Sequence, residues 1–147
     1  MKINKNNMKT SIKKINQFNL AAHDYLSDNK GDTKLAHALK KVSKQSLPVL
    51  ENYNSELDDI AINNASVDEK GNLLHVKNEI DGKILGYSYT PSAAIRQKRE
   101  SKELFSTEKE YPITPHIIKD LPADLSEANK EVFAGFVLEL VEEVEPE

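Results

Sequence analysis

The chain has 147 residues, 38% hydrophobic and 30% charged, with a net charge of −4 and no cysteine. This composition suits one soluble domain with a modest core, spanning 1–147, and excludes a disulfide framework, a thiol nucleophile and a cysteine-based zinc site. The acidic balance argues against general affinity for nucleic acid, and no apolar run approaches the roughly 20 residues that span a bilayer.

The two ends differ in charge. Residues 1–16 carry Lys2, Lys5, Lys9, Lys13 and Lys14 with no acid, whereas residues 139–147 carry Glu139, Glu142, Glu143, Glu145 and Glu147 with no base. Two solvated ends are the simplest reading; ends that meet between neighbouring copies are the sharper one. Residues 1–7 read as a polar leader, with Met8 an alternative start. No apolar stretch follows the lysines, so this is not a signal peptide, and a cytoplasmic setting is expected.

From about Met8 to Leu26, Met8, Ile12, Ile15, Phe18, Ala22 and Tyr25 share one helical face. Asp28 to Asp32 supplies a turn, and Asp32 is placed to cap the next helix. That second helix, Asp32 to Ala65, aligns Leu35, Leu39, Val42, Val49, Tyr53, Leu57 and Ile60 with one gap at Ser46. A short connection makes the two helices an antiparallel hairpin. Pro48 lacks an N–H and is expected to kink the second helix or restart it.

The pattern changes at Ser66. Asp68-Glu69-Lys70-Gly71-Asn72 is turn chemistry, and Asp81-Gly82 predicts a type I′ hairpin turn between strands at Leu73–Ile80 and Lys83–Tyr89. Thr90-Pro91 predicts a capped helix to about Phe105. Its middle is polar, so it should expose most of its length. Residues 110–118 place Tyr111, Ile113, Pro115 and Ile117 on one side of an extended segment, and Pro112 and Pro115 restrict it to an edge strand or arm. Asp124 with Glu127 predicts a capping box for the last helix. Beyond Gly135, the apolar residues fit either a longer helix or a strand formed by Phe136, Leu138 and Leu140. The strand is preferred because it could pair with the proline-bearing segment. The expected fold class is α+β: a helical hairpin with a kinked long second helix, packed with a small antiparallel sheet and two further helices.

No catalytic, cofactor or metal site emerges. His23, His37, His75 and His116 are scattered, and the His75/Glu79 and His116/Asp120 spacings would unite ligands only on a helix. Residues from Asp68 resemble a calcium loop superficially, but its third position is Lys70. The serines lack a glycine elbow, and there is no phosphate-binding glycine loop among five glycines. The run Arg96, Lys98, Arg99 and Lys102 could touch phosphates. Glu100 and Glu103 interrupt it, however, and no aromatic residues are interleaved for base stacking. These four residues, with Tyr111, Ile113, Pro115 and Ile117, are the expected protein-interaction residues. The expectation is therefore a non-enzymatic protein without cofactor.

The helical hairpin followed by Val67-Asp68-Glu69-Lys70-Gly71-Asn72-Leu73 resembles small uncharacterised proteins of tailed bacteriophages and prophages. In these, a polar helix and an extended segment like Glu110-Tyr111-Pro112-Ile113 follow. The likeness covers residues 8–118 and is one of layout. The Leu73–Tyr89 hairpin and the Pro115-His116-Ile117-Ile118 arm depart from it. The resemblance implies a head or tail component or assembly factor, made in a bacterial host's cytoplasm and contacting its own copies or other virion proteins. It transfers no functional residues. A small inhibitory binder of a host or phage protein is the alternative.

Overall fold

The computed structural model describes residues 7–28 and 31–140. The polar leader before Asn7, part of the first interhelical turn and the acidic residues after Leu140 lie outside the described residues. In chain order the elements are β1 (Met8–Thr10), α1 (Ile12–Asp28), α2 (Lys34–Asn64), β2 (His75–Lys77), β3 (Ile84–Tyr87), α3 (Pro91–Ser106), β4 (Lys109–Tyr111), β5 (His116–Ile118), α4 (Glu127–Phe133) and β6 (Val137–Glu139). The class is α+β, with a long second helix. The chain divides into two compact units: Met1–Leu50 with Thr107–Glu147, and Glu51–Ser106.

The first unit holds most of the buried apolar residues. Ile12, Ile15, Phe18 and Ala22 of α1 are buried, as are Leu35, Leu39, Val42 and Val49 of α2. The aromatic centre joins α1 to the chain's end. Phe18 stacks on Phe136 at 4.5 Å and meets Phe133 edge-on at 5.8 Å. Ser46, the gap in the apolar stripe, is fully buried. Its hydroxyl accepts from Asn19 Nδ2 at 2.7 Å and donates to the Ser43 carbonyl at 2.6 Å, while Ser43 Oγ donates to Asn19 Oδ1 at 2.9 Å. A satisfied polar cluster thus fixes the register of the antiparallel helical hairpin.

Several boundaries differ from the sequence reading, each for a local reason. Met8–Thr10 is a strand paired antiparallel with Lys109–Tyr111, because Ser11 caps α1: the Lys14 amide donates to Ser11 Oγ at 3.2 Å. Thr33, not Asp32, caps α2, accepting from the Ala36 amide at 3.1 Å. Asp32 instead pairs with His37. α2 runs through Pro48 without restarting. Pro48 and Lys44, whose carbonyl loses its partner there, are both exposed, so water can satisfy the orphan. Ser126, not Asp124, caps α4, accepting from the Asn129 amide at 3.1 Å.

The strand after Gly135 is present. Gly135 takes φ +88°, a left-handed position that ends the helical path, and Val137–Glu139 pairs in parallel with His116–Ile118. Its inward residues are Phe136 and Val137, while Leu138 and Leu140 are exposed.

The second unit has little interior. Among residues 51–106 only Asn64 and Ala93 are buried. Thr90 caps α3 as expected, accepting from the Ala93 amide at 3.2 Å. β2 and β3 pair antiparallel with an irregularity between Val76 and Lys77, which leaves Leu85 without a register partner. The connection is not a type I′ turn: Gly82 has φ +73°, but Asp81 does not take positive φ. Asn78 forms an Asx turn to the Ile80 amide at 2.8 Å, and the Gly82 amide returns to the Asn78 carbonyl at 2.9 Å. The side-chain and backbone bonds of Asn78 together make a longer loop than the Asp81-Gly82 dipeptide predicts.

Candidate functional site

The eight expected interaction residues fall into two groups in different units. On α3, Lys98, Arg99 and Lys102 are exposed. Arg96 is committed internally: its Nε donates to Asn64 Oδ1 at 2.6 Å, and Asn64 Nδ2 donates to Glu100 Oε1 at 2.8 Å. One buried amide at the end of α2 thereby engages both a base and an acid of the polar helix. α3 is thus held at its middle as well as at its ends, where Ala93 is buried and the Phe105 ring lies 6.1 Å from that of Tyr53.

The segment 110–118 is not a free arm. β4 pairs with β1 at one end and β5 pairs with β6 at the other. Between them Gln45 acts as a surrogate strand. Its Oε1 accepts from the Thr114 amide at 2.7 Å and its Nε2 donates to the Thr114 carbonyl at 3.2 Å. Tyr111 and Pro115 are half-buried, and Ile117 is exposed. Ile113 is a correction, because it is fully buried in the first unit and so cannot meet a partner. With two prolines in the segment, the exposed/buried alternation of a free strand does not apply, and Ile113 turns inward.

The histidines serve separate local roles. His37 pairs with Asp32, His75 lies against Tyr87 at 5.1 Å between ring centres, His116 is half-buried in β5, and His23 is exposed. Among the described residues no group of three or more His, Asp or Glu is placed to hold a metal ion. The turn from Asp68 has its own explanation. The Asp68 carboxylate accepts from the Lys70 and Asn72 amides at 2.8 and 2.9 Å. The Asn72 amide is the chief cause that holds its pKa below the ordinary aspartate value. A hydrogen bond from Lys34 likewise lowers Asp120. Burial raises Tyr53 and Tyr89.

The surface that the sequence reading missed is the β2–β3 hairpin. No residue from 66 to 89 is buried. Ile80 at the tip is 96% exposed, and Ile84 and Leu85 on β3 are 60% and 65% exposed, with Val67, Leu74 and Val76 beside them in the chain also open. The signal was the consecutive Ile84-Leu85 pair, which breaks the alternation expected of a strand with one wet face. No helix among the described residues is long and apolar enough to cross a membrane. No family model, curated protein or solved structure matches the chain.

Proposed function

We propose that this is a non-enzymatic structural or assembly protein that works by protein–protein contact, as a component or assembly factor of a bacteriophage head or tail. The observation that carries the docking role is the open apolar hairpin. Ile80, Ile84 and Leu85 present large aliphatic side chains, and burying each would contribute about 1.5–3 kcal/mol. A two-stranded ribbon with open edges can also accept a strand from a neighbour through main-chain hydrogen bonds. The layout-level resemblance to phage and prophage proteins supports the particle setting.

The test is a photo-crosslinking residue introduced at Ile84 in cells where the protein acts, followed by mass analysis of the adduct. The expected product is one discrete protein adduct that Leu85→Lys abolishes, with the protein present in many copies per purified particle. Absence of any adduct would refute the docking role. A single copy on a soluble host protein would refute the particle role and identify an inhibitory binder instead.

A further inference from the structure

The second unit is short of both strands and interior. Among the described residues β2 and β3 make a two-stranded sheet, and between 51 and 106 only Asn64 and Ala93 are buried. Two strands alone are marginal in water, and independent stability takes three or more with a covered apolar face. The hairpin nevertheless holds a row of aliphatic residues in the open. Val67 bridges Leu73, the Leu74 carbonyl accepts from the Ser88 amide at 2.9 Å, and Val76 and Lys77 stand opposite Gly86 and Ile84. Val67, Leu74, Val76, Ile84 and Leu85 thus lie in one small ribbon with Ile80 at its tip. Together these six leave on the order of 600–700 Å² uncovered, which approaches the roughly 800 Å² that each partner of a stable complex buries.

The two edges of the ribbon are not alike. β2 carries Lys77, a charge of the kind that blunts an exposed edge. β3 reads Ile84-Leu85-Gly86-Tyr87, with neither a charge nor a proline. An uncharged edge strand is a template for another strand. The surrounding charges point to its own copy. Residues 66–89 hold the acids Asp68, Glu69, Glu79 and Asp81 and the bases Lys70, Lys77 and Lys83. No single-sign field is present to select an oppositely charged partner, whereas two copies turned about a two-fold axis can set the lysines of one against the acids of the other. Glu79 and Asp81, one on each side of Ile80, count against insertion of the tip into an anionic bilayer. We propose that β3 pairs antiparallel with β3 of a second copy, giving a four-stranded sheet in which Ile84 and Leu85 of both copies are covered. The second copy is then the occupant of the docking surface proposed above, and its assignment rests on that docking role.

The experiment is the solution mass of the purified full chain by light scattering, over a dilution series from millimolar to micromolar, with amide exchange on the same samples. The chain should be a dimer at the concentrated end, and exchange at residues 84–87 should slow as the dimer forms. Ile84→Lys and Leu85→Lys, both at exposed positions, should each raise the dissociation constant at least about a hundredfold, because the two-fold axis brings the new charge into the contact twice. A wild-type chain that is monomeric throughout would overturn the proposal, as would a dimer that both variants keep. If the variants fail to fold, wild-type exchange on either side of the dimer midpoint decides: slowing at 84–87 supports the pairing and unchanged rates refute it. A monomeric chain whose Ile84 crosslinks to a different protein would overturn the second copy and leave the docking role standing. A monomer with no adduct would overturn both.

Discussion

Gln45 offers the sharpest test of how the first unit holds its irregular segment. Its amide satisfies both the N–H and the C=O of Thr114, at 2.7 and 3.2 Å, in a stretch where Pro112 and Pro115 have no N–H to donate. Gln45→Ala removes both bonds from partly buried groups. At about 1 kcal/mol each, with some water replacing the lost partner, the expected loss is about 2 kcal/mol. Gln45→Glu is nearly isosteric and separates hydrogen bonding from shape. Above its folded-state pKa the new carboxylate can still accept from the Thr114 amide but repels the Thr114 carbonyl. Below its unfolded-state pKa the protonated acid can donate to that carbonyl. Partial burial and the carbonyl act to raise the folded-state value, whereas the bond from the Thr114 amide acts to lower it. The difference from wild type should change between pH 7 and pH 4 as the carboxylate gains the proton that lets it donate to the Thr114 carbonyl. Urea unfolding of wild type and both variants from pH 7 to pH 4, with amide exchange at Thr114, measures this. A Thr114 amide that exchanges equally fast in wild type and Gln45→Ala would refute the reasoning, as would a pH-independent difference between wild type and Gln45→Glu.

Phe18→Ala should destabilise the first unit by about 3–5 kcal/mol, seen as a lowered urea midpoint, because it empties a fully buried site against Phe133 and Phe136. Asn64→Ala should cost about 1–3 kcal/mol and loosen α3, since Arg96 and Glu100 lose the amide that both engage; faster amide exchange along 91–106 reports it. Asp68 and Asp120 should titrate below the ordinary aspartate value by carbon-detected NMR, and Lys34→Ala should return Asp120 toward that value while leaving Asp68 unchanged. Both carboxylates favour the folded chain above the unfolded-state pKa, a contribution lost as pH falls through the lowered folded-state value.

The local pattern of apolar residues sufficed for the helical hairpin, because burial follows periodicity wherever a helix has one apolar face. Ile12, Ile15, Phe18, Leu35, Leu39 and Val42 are all buried where their spacing predicts. Thr90-Pro91 and Gly135 were equally readable, since capping and positive φ are decided within a few residues. What only the tertiary structure decided depends on partners distant in sequence. Ile113 is core because β4 and β5 are each paired elsewhere in the first unit and Gln45 holds the backbone between them, which no property of residues 110–118 reveals. Ser46 breaks the apolar stripe, yet it is buried because Asn19, 27 residues earlier, satisfies its hydroxyl. The basic surface of α2 follows the same division. The charges of Lys40, Lys41 and Lys44 are plain in the sequence. That they share a depression with His116 is a consequence of the chain's path in space.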